Sequence, residues 1–116
     1  MIRAIAFSVY PAKDLAESRR FYEETLLLKP DHIACEGRWV EYDVAGATFA
    51  ITDLNEKAEA GKGGAVAFEV DDLDRTLEQL KAASAAIIED AFETPVCRMA
   101  VVADPAGNEL ILHKRK

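Results

Sequence analysis

The sequence of 116 residues has few cysteines, fewer basic residues (14) than acidic ones (21) and no long apolar run. Its two cysteines, Cys35 and Cys97, form no CxxC pair, so each is predicted to be a small buried side chain, with a disulfide left open. The formal net charge of −7 argues against a nucleic-acid partner, because a phosphate backbone attracts a positive surface. The apolar runs are shorter than the roughly 18 residues that a membrane span requires. Neither nucleic acid nor a membrane is therefore an expected partner.

The motifs of several enzyme classes are also missing. The chain has no nucleophile elbow, no glycine-rich phosphate-binding loop and no paired cysteine and histidine. Residues 1–9 are apolar but contain Arg3 and lack a small-residue cleavage site, so we expect a strand there rather than a signal peptide. With no targeting signal, the expected location is cytoplasmic. The length predicts one domain with a real hydrophobic core.

What the chain does contain is a series of short strand and helix patterns. Asp14 is a predicted N-cap with Glu17 at capping-box spacing, and Asp72 is predicted to cap a second helix. A polar segment without apolar periodicity, residues 53–64, is the predicted linker. The predicted strands are residues 2–10, 33–35, 39–43, 47–52, 65–70, 86–89, 96–103 and 109–113, and the predicted helices are residues 15–27 and 72–83.

The two halves of the sequence repeat one pattern. Asp14-Leu15 and Ser18 recur 58 positions later as Asp72-Leu73 and Thr76, and Asp43-Val44-Ala45-Gly46 recurs 61 positions later as Asp104-Pro105-Ala106-Gly107. The repeat predicts an α+β fold of two tandem βαβββ modules, about residues 1–55 and 62–116. One helix covers only one face of a four-stranded sheet, so we expect the two mixed sheets to curve together around a shared cavity.

The residues that carry this repeat also resemble those of a known family. The patterns Asp14-Leu15-x-x-Ser18-x-x-Phe21-Tyr22 and Asp104-Pro105-x-Gly107-Asn108 resemble the vicinal oxygen chelate superfamily, which includes glyoxalase I, extradiol dioxygenases, fosfomycin-resistance proteins and bleomycin-resistance proteins. The resemblance covers essentially the whole chain and implies paired modules around a cavity, often within a homodimer. It names no reaction, because these are turn and helix-start signatures on a fold that hosts many chemistries.

In the metal-dependent members of this family, histidines or carboxylates hold the metal near the centres of the module strands. The resemblance places four apolar residues at the corresponding positions, and none has a side-chain lone pair for a cation: Phe7, Ala50, Ala65 and Ile111. Glu109 and His113 share a strand face with Ile111, but their Cα atoms would lie roughly 13 Å apart. His32 is predicted to lie in a surface connection after Pro30. The sequence therefore predicts neither a metal nor another cofactor.

Without a metal, the leading hypothesis is a protein that sequesters a small organic molecule. The predicted cavity-lining residues are Phe7, Trp39, Ala50, Ala65, Met99, Ile111 and His113. Ordinary core packing is the alternative role for the apolar ones. The negative charge would attract a cationic ligand, or it serves solubility alone.

Two further functions stay open at this stage. The first alternative is an enzyme of lyase, isomerase or dioxygenase type with a displaced or unconventional site. The second alternative is a non-catalytic assembly module. For an enzyme, the candidate acids and bases lie in or near predicted strands and are Glu41, Glu69, Glu109 and His113. The residues do not identify a substrate.

Overall fold

The computed structural model describes residues 3, 5–54, 61–62 and 65–116, which fall into two compact units, Met1–Ala60 and Gly61–Lys116. The first unit contains β1 (Ser8–Pro11), α1 (Leu15–Arg20), a π-helical segment (Phe21–Thr25), β2 (Pro30–Ala34), β3 (Trp39–Val44) and β4 (Ala47–Thr52). Its sheet has the order β1-β4-β3-β2, with β1 parallel to β4 and the other pairs antiparallel.

The second unit repeats this arrangement. It contains β5 (Val66–Glu69), α2 (Leu73–Ala82), β6 (Ala86–Glu93), β7 (Cys97–Ala103) and β8 (Glu109–Arg115). The sheet order is β5-β8-β7-β6, again with one parallel pair, β5 and β8. The predicted α+β fold with two mixed sheets in βαβββ order is confirmed.

The two sheets share their register as well as their strand order. Ser8 lies opposite Phe49 in the first unit, and Val66 lies opposite Leu110 in the second. These partners are related by the same shifts, 58 and 61 positions, that the sequence repeat shows. That the two units form one domain stays a prediction.

Helix caps start both α-helices where the sequence indicates. The Asp14 carboxylate accepts a hydrogen bond from the Glu17 amide at 3.1 Å, and the Asp72 carboxylate accepts one from the Arg75 amide at 3.1 Å. Each bond satisfies an amide that has no partner within the helix, which fixes the helix start.

The cores of the two units differ in composition. In the first unit, Phe49 is the centre of an aromatic cluster, with ring centroids 5.1 Å from Tyr22, 5.7 Å from Tyr10 and 6.2 Å from Tyr42. In the second unit, most of the residues buried on the helix and on the sheet are aliphatic, among them Leu73, Leu77, Leu80, Ala100, Val102, Leu110 and Leu112. The helix of each unit therefore covers one face of its own sheet.

Tyr42 also has a polar partner at the edge of the aromatic cluster. Its hydroxyl donates to the Glu23 carboxylate at 2.8 Å, and Arg19 holds the same carboxylate at 2.7 Å. Burial, and then the hydrogen bond to Glu23, raises the pKa of Tyr42 well above its ordinary value of 10.0.

This raised pKa predicts an alkaline effect on stability that Tyr42→Phe should remove. Above about pH 10, the unfolded chain loses the phenolic proton while the folded protein keeps it, so the free energy of unfolding falls as pH rises. At pH 7 wild type should be more stable than Tyr42→Phe by about 1 kcal/mol, because the variant lacks the bond to Glu23. Urea unfolding of both proteins from neutral to alkaline pH should show this difference shrinking above pH 10. A difference that stays constant would contradict the raised pKa.

Several predicted boundaries in the first unit are wrong. The first strand begins at Ser8 rather than residue 2, so Phe7 precedes it; residues 2 and 4 lie outside the described part of the chain. The α-helix ends at Arg20 rather than residue 27, and the chain continues as a π-helical segment in which the Leu26 amide donates to the Phe21 carbonyl at 3.0 Å. Phe21 and Tyr22, the first two residues of this segment, are both buried.

His32 and Cys35 were also predicted wrongly. His32 lies on β2, not in a connection, because Pro30 starts a strand at a position that needs no amide donor. Its side chain is exposed, as predicted. Cys35 is exposed in a turn with φ +54°, whereas Cys97 is buried as predicted, and both are free thiols.

In the second unit two strands, β6 and β8, extend beyond their predicted ends. β6 continues to Glu93 rather than residue 89, and its pairing with β7 shifts register at two places, which allows the longer strand to bend. β8 continues to Arg115, while β5 begins at Val66 and β7 at Cys97. Most of the predicted linker, residues 55–60 and 63–64, lies outside the described residues. No helix in the described ranges is long and apolar enough to cross a membrane.

Candidate functional site

Each sheet has a second face that its own helix does not cover, here called the helix-free face. Residues opposite each other in a ladder point to the same side, so the register assigns each side chain to a face. On the first sheet, Glu41 lies beside Ala50 and His32, and Trp39 lies beside Thr52 on the same face. On the second sheet, the helix-free face carries Ala67, Glu69, Met99, Val101, Ile111 and His113.

Three residues form an aromatic–acidic cluster in the first unit: Phe7, Trp39 and Glu41. The rings of Phe7 and Trp39 meet edge to face, with centroids 5.5 Å apart. The indole N–H of Trp39 donates to Oε2 of Glu41 at 2.8 Å, which holds the carboxylate beside the rings. Phe7 is 47% exposed, while Trp39 and Glu41 are half-buried. The cluster therefore places two aromatic rings, of which Phe7 is 47% exposed, next to a fixed carboxylate.

The helix-free face of the second sheet is apolar at its centre and polar at one end. Ile111 is half-buried and lies between Ala67 on β5 and Val101 on β7. Met99 lies directly opposite His113, two residues further along β8. This face therefore offers an apolar surface that ends at an imidazole.

His113 is paired with Glu69 at that polar end. The two residues are register partners on the parallel strands β5 and β8, and Nδ1 of His113 lies 2.5 Å from Oε1 of Glu69. The other carboxylate oxygen, Oε2, accepts a hydrogen bond from the Arg115 amide at 2.8 Å. These contacts, the Arg115 amide foremost and His113 second, lower the pKa of Glu69 below its ordinary range. Glu69 is therefore a carboxylate at neutral pH.

The predicted lining residues are distributed over both units. Phe7 contacts Trp39, and Met99 lies beside His113 with Ile111 nearby on the same face. Ala50 is fully buried beside Glu41 in the first unit, whereas Ala65 is exposed just before β5. The assignment of these residues to a ligand stays a prediction.

Residue types alone did not identify the pairing of Glu69 with His113. The repeat held a usable signal, because the shifts of 58 and 61 positions carry the register pair Pro11–Thr52 onto Glu69–His113. For the hydrogen bond from Trp39 to Glu41 the sequence contains only a weak signal. The alternation of side chains along a strand puts both residues on one face, but it does not fix their rotamers.

The residues present do not fit the metal of the family's metal-dependent members. Phe7, Ala50, Ala65 and Ile111 offer no donor atom, and the Glu41 carboxylate is engaged by an indole N–H. Within the described ranges, no three His, Cys, Asp or Glu side chains lie close enough together to hold a metal ion. Among the described residues, the helix-free faces offer aromatic rings, carboxylates and the carboxylate–imidazole pair of Glu69 and His113.

Comparisons with known proteins agree on the family. The family model described as Glyoxalase/Bleomycin resistance protein/Dioxygenase superfamily matches residues 4–112. A search of curated protein sequences finds no match. Among solved structures, the chain is similar to an antibiotic binding protein from Streptomyces sp. CB03234, with 24% identity and a TM-score of 0.84 over 99% of this chain and 98% of that one.

Two other solved structures have the same fold. Lactoylglutathione lyase from Agrobacterium tumefaciens is 20% identical, with a TM-score of 0.78 over 98% of this chain and 95% of that one. A fosfomycin resistance protein from Listeria monocytogenes is 16% identical, with a TM-score of 0.80 over 100% of this chain and 96% of that one. These identities show a common fold only. Because the family model spans nearly the whole sequence, the chain belongs to the Glyoxalase/Bleomycin resistance protein/Dioxygenase superfamily.

Proposed function

We propose that this protein binds a small organic molecule without a metal ion and sequesters it rather than converting it. The observation that carries the proposal is the apolar character of the four positions Phe7, Ala50, Ala65 and Ile111. A metal-dependent reaction needs donor atoms at such positions, and the side chains here supply none. The fold alone does not choose between sequestration and catalysis, because it is common to an antibiotic binding protein and a lyase.

A cationic ligand fits the aromatic–acidic cluster. The faces of Phe7 and Trp39 attract a cation through the ring quadrupole, and the Glu41 carboxylate supplies an opposite charge beside them. In the described part of the chain, no lysine or arginine pairs with Glu41. The net charge of −7 favours the approach of a cation from a distance. We therefore infer that the preferred ligand carries a positive charge next to an apolar or aromatic body.

Trp39 provides a direct test, because it is the only tryptophan in the chain. Its fluorescence should change when a ligand occupies the cluster, and a Trp39→Phe variant should lose the signal. Three ligand classes should be titrated: cationic antibiotics, small electrophilic metabolites and thiol conjugates. Saturable binding of a cationic compound that is recovered unchanged would support the proposal.

Other outcomes of these titrations would favour a different function. Consumption of the bound cationic compound at a catalytic rate would favour an enzyme with an unconventional site. No fluorescence change and no thermal stabilisation with any of the three classes would favour an assembly module. The homodimer and the cytoplasmic location stay predictions, and sedimentation velocity of the purified chain tests the first of them.

A further inference from the structure

The pair of Glu69 and His113 in the second unit is held by more contacts than a simple surface ion pair. Glu69 is held at both oxygens, by Nδ1 of His113 at 2.5 Å and by the Arg115 amide at 2.8 Å. The Val70 amide also donates to the His113 carbonyl at 2.9 Å, which ties the end of β5 to β8. The imidazole is therefore fixed in position by backbone as well as side-chain contacts.

This geometry determines which nitrogen of His113 is available. A carboxylate next to Nδ1 requires that nitrogen to carry a proton, so the neutral ring has its lone pair on Nε2. No described residue bonds to Nε2 of His113. A ring with Nδ1 on a carboxylate and an unengaged lone pair on Nε2 is the arrangement that accepts protons in acid–base catalysis.

The surroundings of the ring suit a ligand with an apolar body. Met99 lies directly opposite His113, and Ile111 lies two residues away on the same face. The charged or titratable groups on this face near the ring are Glu69 on β5, Arg115 on β8 and Cys97 on β7. Cys97 is buried, and its thiol is 3.0 Å from the Thr94 hydroxyl, so the imidazole is the basic group that this cluster exposes.

We propose that Glu69 and His113 form an acid–base dyad in which Nε2 of His113 accepts a proton from a ligand hydroxyl or from water. The proton moves to Nε2, the donor oxygen keeps the electron pair, and the imidazolium that results is stabilised by the Glu69 carboxylate. His113 is the proton-accepting residue and Glu69 is its positioning residue. This site belongs to the second unit, whereas the residues of the aromatic–acidic cluster belong to the first.

The tautomer of His113 is the first readout. The chain has only two histidines, and the exposed His32 serves as an internal reference. In the full-length ¹⁵N-labelled protein, at a pH where both rings are neutral, His113 should carry its proton on Nδ1. His32 should carry its proton mainly on Nε2, as free histidine does. In Glu69→Ala, the proton of His113 should move to Nε2. A wild-type His113 with its proton on Nε2 would overturn the proposal.

Hydrolysis of 4-nitrophenyl acetate is the second readout. Water bonds to the ester carbonyl carbon as Nε2 takes its proton, the bond to 4-nitrophenolate breaks, and Nε2 then releases the proton to solvent. Release of 4-nitrophenolate by wild type should be at least about tenfold faster than by His113→Gln, a modest share of what a positioned base contributes. His32→Gln, the matched control, should keep the wild-type rate, and Glu69→Ala should fall below it. Equal rates for wild type and His113→Gln would overturn the proposal.

Discussion

Replacing Asp104 by alanine should lower the free energy of unfolding by at least about 3 kcal/mol. Asp104 is only 5% exposed, and its carboxylate accepts hydrogen bonds from the Ala106 amide at 3.0 Å, the Asn108 amide at 2.8 Å and the Asn108 side chain at 2.8 Å. Alanine removes the acceptor of these three buried hydrogen bonds, at roughly 1 kcal/mol or more each. The side chain of Asn108 also accepts from the Gly61 amide at 2.8 Å, so the loss should spread beyond the turn.

The repeat supplies a matched control at Asp43, the corresponding turn residue of the first unit. The Asp43 carboxylate is exposed and accepts one hydrogen bond, from the Gly46 amide at 3.2 Å. Asp43→Ala should therefore cost less than about 1 kcal/mol. Urea unfolding of both variants measures the two losses. Equal losses would show that the network around Asp104 has no special role.

Glu41→Gln should weaken binding of a cationic ligand about tenfold or more. In the wild type, the Trp39 indole N–H donates to the Glu41 carboxylate at 2.8 Å. Glutamine keeps the size of the side chain and an oxygen that can accept this hydrogen bond, but it removes the charge. A hydrogen bond to a charged group is stronger than one between neutral groups by about 1.4 kcal/mol or more, which is a factor of about ten in affinity. Titration followed by Trp39 fluorescence measures the change.

Asp43→Asn separates this local effect from the general negative charge. Asp43 lies two residues from Glu41 on β3, and asparagine retains an oxygen that accepts from the Gly46 amide. The control variant loses the same charge from the same strand and should bind almost as wild type does. A neutral analogue of the ligand should bind Glu41→Gln and wild type alike. If both variants bound the cationic ligand equally weakly, Glu41 would not be part of the binding site.

The sequence was sufficient for the order of the elements because the signals are local. Asp14 and Asp72 start their helices through bonds to amides three residues away, and the turn at Asp104 closes on its own side chains. Such contacts depend on neighbours in the chain rather than on packing. The repeated spacing then extended the local signals to a whole module.

The predictions failed where tertiary packing decides. The sequence predicts one α-helix through residue 27, but the chain changes to a π-helical segment after Arg20, where Phe21 and Tyr22 are both buried in the aromatic cluster. The pairing of Glu69 with His113 depends on the register of two strands far apart in the sequence. By contrast, the lack of donor atoms at the positions of Phe7 and Ile111 follows from residue type alone. The lack of metal-ligating side chains at these positions could therefore be read from the sequence directly, whereas the contact between Glu69 and His113 required the structure.

Metal analysis of the purified protein tests the central claim most directly. The chain should be expressed with zinc, nickel, manganese and iron available, purified without chelator, and assayed for metal content and for ligand binding by Trp39 fluorescence. We expect no metal in stoichiometric amount, and binding that is the same before and after treatment with a chelator. One metal ion per chain, whose removal abolishes ligand binding, would contradict the account.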